Sequence, residues 1–244
     1  MSLENPVFTV NEYQQVINSI PEHIQEQLKT NDIIVAGGFI RDILIDLPVS
    51  DLDIFCKTEE VAKKLADYSN DGLGILKTDC SYSILHNDLK VQYIYCRPYT
   101  TPESLINEFD FTCCGVSLKW MGGRWDFSYI TGFEEDTRDM VLVFRNADYN
   151  KGNLGALSRA FRFTAKGWFL PQVEMAKIVH HYIAYSPDIR NANRAFVTDT
   201  RRVSVPSDGD YGTFTSPDDS PLVSLATVQR SVNPRYNPRN QNGR

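Results

Sequence analysis

The segment VAGGFIRDILIDLPVSDLDIFC, residues 35–56, changes its hydrophobic period twice. The apolar run that begins after Asp32 ends at Gly37-Gly38, as a short buried strand does. Phe39, Ile40, Ile43, Leu44 and Leu47 then share one helical face, which stops before Pro48. Asp51 to Cys56 alternates as a second strand. Backbone N–H groups without side chains therefore sit at a helix N-terminus, where the dipole and the unpaired donors favour a phosphate. Arg41, one turn in, is placed to add a cationic clamp. Asp51 and Asp53 project from one face of their strand, about 7 Å apart at Cα, while Leu52 and Ile54 point to the core. An acidic pair beside a phosphate-binding turn is electrostatically unfavourable unless a cation lies between them. Mg²⁺ suits that place, because it takes a few carboxylates completed by waters and substrate phosphates. The implied chemistry is two-metal phosphoryl or nucleotidyl transfer.

The flanking sequence extends this strand, helix, strand unit into a mixed α+β fold. Upstream, Thr9 with Glu12 forms a capping-box pattern, and Ile17, Ile20, Ile24 and Leu28 continue at helical spacing, broken or kinked near Pro21. Downstream, Thr58 can cap a helix through Asp67, and Val91 to Cys96 is strand-like. Thr101-Pro102 opens another helix with Leu105, Ile106 and Phe109 on its apolar face. A hairpin is predicted from Thr112–Trp120, the turn Met121-Gly122-Gly123, and Arg124–Tyr129. From about Asn153 the pattern is helical, with Leu154, Leu157, Phe161 and Ala165 as the expected core face. A second helix runs from Pro171 to about Tyr185. Residues 193–244 turn polar, and 203–244 read as a disordered tail. The expected organisation is thus a head domain over 1–148, a helical neck over 149–192 and a basic-ended tail over 193–244.

Charge divides the same way. The chain has 244 residues and a formal net charge of −6. Residues 1–150 carry 12 Lys and Arg against 24 Asp and Glu, whereas residues 151–244 carry 13 against 7. From Ser220 onward there are four arginines, Arg230, Arg235, Arg239 and Arg244, and no acid. This stretch reads either as an electrostatic arm for RNA or DNA or as a solvated tail without a partner. The sequence has no apolar window of membrane-spanning length and no signal-peptide pattern, so a cytoplasmic protein without membrane contact is predicted. Five cysteines without a C-x-x-C spacing indicate reduced thiols rather than a disulfide framework or a zinc site.

GGFIRDILIDLPVSDLDIF resembles the signature of the DNA polymerase β superfamily of nucleotidyltransferases. Specifically, it resembles the head domain shared by CCA-adding enzymes and bacterial poly(A) polymerases, whose pattern is GG-x-V-R-D-x-L-L followed by D-x-D. Asp110-Phe111-Thr112 is similar to that family's R-R-D-F-T motif, Gly132 to Val141 to its acidic stretch before the neck, and Arg159-Ala160-Phe161-Arg162-Phe163 to its R-A-x-R-F helix. The resemblance covers about residues 30–170. It implies an NTP substrate, with Gly37, Gly38 and Arg41 holding the triphosphate, Asp51 and Asp53 ligating magnesium, and Asp110 in the nucleotide site. Arg159 and Arg162 would contact phosphates from the neck or simply flank its apolar stripe.

Departures from the pattern limit what the resemblance carries. The family's third carboxylate, in a run like E-V-x-T-F-R, falls on Gln92 when aligned on Arg97. A glutamine offers a neutral oxygen but cannot act as an anionic base. Asp88 and Asp110 stand as candidate substitutes. The paired arginines before D-F-T are Glu108-Phe109, and the base-reading E-D-x-x-R set falls on Gly152, Asn153 and Ala156. CCA addition itself is not expected. Two readings follow: a Mg²⁺-dependent enzyme moving an NMP from an NTP to a hydroxyl, RNA first among acceptors, or a catalytically degenerate member. The latter would bind nucleotide, nucleic acid or a protein partner.

Overall fold

The structure, a computed structural model, describes residues 7–145 apart from 71, 73 and 98, together with residues 155–185. The chain divides into two units, residues 1–149 and 150–244. The first opens with α1 (Val10–Asn18), whose predicted capping box is present: the Glu12 N–H donates to Thr9 Oγ1 at 3.3 Å, and the Thr9 N–H to the Glu12 carboxylate at 2.6 Å. Proline cannot continue the hydrogen-bonded spiral, so Pro21 separates α1 from α2 (Glu22–Thr30). Then follow β1 (Ile34–Ala36), α3 (Gly38–Leu44), β2 (Asp51–Phe55) and α4 (Glu59–Ser69), capped by Thr58. The unit continues with β3 (Leu76–Lys77), β4 (Ser81–His86), β5 (Leu89–Ile94), α5 (Pro102–Ile106), β6 (Val116–Met121), β7 (Arg124–Tyr129) and α6 (Phe133–Arg138).

The seven strands form one mixed sheet in the order β3-β4-β5-β2-β1-β6-β7. Only β2 and β5 run parallel; their register pairs Asp51 with Lys90, Leu52 with Val91 and Asp53 with Gln92. Because side chains alternate along a strand, the register sorts the sheet into two faces. Leu52, Ile54, Val35, Leu118, Val91, Tyr93, Tyr82 and Ile84 share one face, are all buried, and join the core built with Ile24, Leu28, Ile40, Ala62 and Leu65 of the helices. Asp51, Asp53, Lys90, Gln92, Ser81 and Ser83 occupy the other face. A polar network ties the helices to the sheet beneath the core: Tyr93 Oη donates to Gln27 Oε1 at 2.8 Å, and Gln27 Nε2 to Ser69 Oγ at 2.7 Å.

Three local expectations change. The hairpin does not begin at Thr112, since Thr112–Cys114 form a 3₁₀ turn closed by the Gly115 N–H on Thr112 O at 2.9 Å, and β6 starts at Val116. Strands β3 and β4 were not anticipated, because Ser81 and Ser83, buried on the polar face, lack the apolar signature of a strand. The turn between β4 and β5 falls at Asn87-Asp88, both with positive φ, the geometry that suits a tight hairpin. In the second unit, α7 (Gly155–Ala165) buries Ala156, Ala160, Phe163 and Thr164; of the predicted stripe, Leu157 is half-buried, Ala165 is exposed, Phe161 is 43% exposed and Leu154 lies outside the described residues. Phe163 meets the Trp168 ring edge-on at 5.3 Å. Helix α8 (Gln172–Tyr185) follows directly after Pro171. The predicted tail over 193–244, with its arginine arm, lies outside the described residues. Among the described residues no helix is long and apolar enough to cross a membrane.

Candidate nucleotide and metal site

Asp51 and Asp53 lie on the polar face of β2, half-buried, with Leu52 and Ile54 anchoring the strand from behind. Asp53 Oδ1 is shielded from solvent and has no hydrogen-bond partner. Burial, and next the neighbouring Asp51 carboxylate, push the Asp53 carboxyl up to about 6; Lys90 and Arg97 pull it the other way. An ionised carboxylate in such a place is under-compensated, and a bound cation would remove the deficit. The donor set is therefore of the right chemistry for a hard divalent ion: two carboxylates, with the amide oxygen of Gln92 one strand away. Gln92 Nε2 donates to Ser83 Oγ at 3.3 Å, which turns its amide nitrogen toward β4.

Among the described residues no group of three or more Asp, Glu, His or Cys side chains is placed to hold a metal. That corrects the expectation that Asp88 or Asp110 substitutes for the missing carboxylate. Asp88 belongs to the β4–β5 turn, beyond the strand that carries Gln92. Asp110 is buried at the entrance to the 3₁₀ turn, where its carbonyl accepts from the Arg145 N–H at 2.7 Å. Its next-but-one neighbour Thr112 donates to Asp136.

The glycine turn has a specific backbone requirement. Gly37 has φ 85° and ψ −132°, and its N–H donates to Val116 O at 2.9 Å, which docks the turn on β6. Phe109 lies under it, 3.5 Å from where a Cβ would stand, so space is adequate and the backbone angle is the constraint. Gly37→Ala should therefore lower stability by about 1–3 kcal/mol through strain at a glycine-only conformation, measured as a urea midpoint. An unchanged midpoint would mean that the turn relaxes without loss. Above the turn, the N–H groups of the first turn of α3 have no intrahelical acceptors.

Arg41 does not extend into that space. Its guanidinium is buried and bonded to Asp42 Oδ1, at 2.6 Å from Nη2 and 2.7 Å from Nε, while Nη1 reaches Cys114 Sγ at 3.3 Å. Nη2 lies 3.2 Å from where a Gly38 Cβ would be, so Arg41 braces the glycine turn from below. Arg159 and Arg162 lie on α7 in the second unit, the former half-buried and the latter exposed. Sequence reasoning passed over Lys90 and Ser83. Counting back two residues from Gln92 places Lys90 on the same face, whereas Ser83 carries no such signal.

The sequence matches the Gabija anti-defense 2 family protein over residues 8–122. The Gabija anti-defense 2 protein of Bacillus phage SPbetaL7 is 30% identical over 160 residues, which is 65% of this chain and 39% of that protein. The chain thus spans about four tenths of the length of this curated relative. Among solved structures, a CCA-adding enzyme in complex with CTP superposes with a TM-score of 0.54 at 17% identity, over 75% of this chain and 47% of that one. The Thermotoga maritima CCA-adding enzyme complexed with tRNA gives a TM-score of 0.53 at 17% identity, over 75% and 46% of the two chains. At these identities the likeness is one of fold. The fold of this chain is that of the polymerase-β-type nucleotidyltransferase head.

Proposed function

We propose that this chain is a Mg²⁺-dependent nucleotidyltransferase that moves an NMP from an NTP to a hydroxyl acceptor, RNA first among them, in the service of phage anti-defence. The observation that carries the reading is the shielded, unpartnered Asp53 Oδ1 beside Asp51 on the open face of the sheet. Folding has left a carboxylate short of a positive charge next to a turn whose N–H groups suit phosphate oxygens. A divalent cation held by Asp51 and Asp53 would offset the charge on the triphosphate and on the departing pyrophosphate. Gly37 and Gly38 would let the triphosphate approach the backbone, with Arg41 holding the turn in shape. Asp110, Arg159 and Arg162 would add contacts to the nucleotide or to an RNA strand. In the reaction a bond forms from the acceptor oxygen to the α-phosphorus and the bond to pyrophosphate breaks. Gln92 cannot take the acceptor's proton, so that proton leaves to solvent. The anti-defence setting is taken from the similarity to the phage protein and implies a component of the Gabija defence as partner.

Gln92 itself favours a second reading, in which the site binds a metal–nucleotide complex without turning it over. One experiment separates the two. The protein is incubated with Mg²⁺, each labelled NTP and mixed RNA, and pyrophosphate release is measured alongside plating of a Gabija-restricted phage on cells expressing the chain. Release should fall by about two orders of magnitude or more in Asp51→Ala/Asp53→Ala, and phage plating should fall with it. Activity surviving in that variant would overturn the site assignment. An inert wild type that binds NTP only with metal, and still protects phage, would establish the second reading.

A further inference from the structure

Lys90 is the one cation that the β2–β5 register sets beside the acidic pair. In a parallel pair of strands, in-register residues project from the same face, and neighbouring strands lie about 4.8 Å apart. Asp51 is paired with Lys90 and Asp53 with Gln92, and the next strand places Ser83 against Gln92 and Leu85 against Lys90. The polar face therefore carries two carboxylates, one ammonium and one neutral amide. Where the related fold's pattern sets three carboxylates, these residues of the face sum to a net charge of −1. Lys90 is half-buried and makes no ion pair with a described residue, whereas the other lysines around the first unit's sheet, Lys57, Lys77 and Lys119, are each committed to Asp32 or Glu59. Its attraction reaches Asp53, as does that of Arg97 beyond the end of β5, so the face is still less able to hold a second divalent ion. Two divalent ions on a face of this charge would repel one another, and each would meet the ammonium, without the third anion that offsets that repulsion.

Resting on the nucleotide-site reading above, we propose that the site takes a single divalent ion and that the Lys90 ammonium occupies the electrostatic place of a second, positioning the triphosphate. Asp53 Oδ1, shielded and unpartnered, is the oxygen that waits for the ion. Gln92 completes the set as a neutral oxygen donor, consistent with its amide nitrogen being turned to Ser83.

The test counts ions rather than turnovers. The full chain is titrated with Mn²⁺ in the presence of a saturating non-hydrolysable NTP, free Mn²⁺ being read by electron paramagnetic resonance and nucleotide affinity by calorimetry. The wild type should bind one Mn²⁺ per chain in the nucleotide complex, and Lys90→Met/Gln92→Glu should bind two. Two ions in the wild type would overturn the inference and leave the nucleotide site standing. Equal counts in both proteins would overturn the role of Lys90. Absence of any metal-dependent nucleotide binding would instead defeat the reading on which the inference rests. Independently of the double variant's folding, Lys90→Met alone should weaken nucleotide binding about tenfold at saturating Mn²⁺, with Lys90→Arg restoring most of it. Affinity unchanged by Lys90→Met would also overturn the proposal.

Discussion

Asp53→Asn should raise the stability of the metal-free protein at pH 7 by about 2–3 kcal/mol and leave it nearly unchanged at pH 4. The sign follows from the direction of the shift. Burial and Asp51 push the Asp53 carboxyl from 3.8 up to about 6 in the folded chain, so between those values the native state holds more of its proton than the unfolded one. Stability from this group is complete below 3.8 and is lost as pH rises toward 6. At neutral pH the wild type carries the cost of an ionised, partly desolvated carboxylate, and the amide does not. Mg²⁺ reverses the comparison, because an ion that binds only the folded wild type stabilises it in proportion to its concentration, while the variant lacks a ligand. Urea midpoints of both proteins at pH 4, 5.5 and 7, with and without Mg²⁺, would show this crossing. A variant less stable than the wild type at pH 7 without metal would mean that Asp53 contributes packing or hydrogen bonds that outweigh its charge. A site that is stabilised by losing its carboxylate is one retained for binding rather than for folding.

That site was legible to different degrees for physical reasons. Gly37-Gly38 and the two aspartates stand out in the sequence because both depend on short-range geometry: a positive φ at Gly37, and the period of two that sets Asp51 and Asp53 on one face. The helix caps at Thr9 and Thr58 were readable on the same grounds, since each satisfies N–H groups within three residues. Strand β4 was not readable, because the hydroxyls of Ser81 and Ser83 face a polar site, and buried serines look like a turn until the sheet is assembled. Lys90 acquires a meaning only from the parallel pairing of β5 with β2, a contact between distant segments. The face buried by α7 was misread because alanines and Phe163, rather than the more conspicuous Phe161, meet the second unit's interior. Local patterns gave the glycine turn and the acidic pair; the residues set beside them depend on long-range pairing.

Arg41 shows the same limit with the largest consequence for stability. One turn from two glycines, an arginine reads as an anion clamp. In the fold its side chain and that of Asp42 are buried, 6% and 7% exposed, and the guanidinium is spent on Asp42 and Cys114. Arg41→Met should lower the unfolding free energy by about 3–5 kcal/mol, because it leaves the Asp42 carboxylate buried without its partner. Replacing both residues, as in Arg41→Met/Asp42→Leu, should recover most of that loss, since no uncompensated charge remains. A direct clamp makes the opposite forecast: Arg41→Met would fold with near wild-type stability and lose nucleotide affinity, and the second substitution would restore nothing. Denaturant midpoints of the wild type, the single and the double variant decide between them. Stability within about 0.5 kcal/mol of wild type for the single variant, the range of an ordinary surface substitution, would show that the pair is not buried as described. A large loss rescued by Asp42→Leu would establish that this arginine acts as a buried ion-pair partner that holds the glycine turn from within.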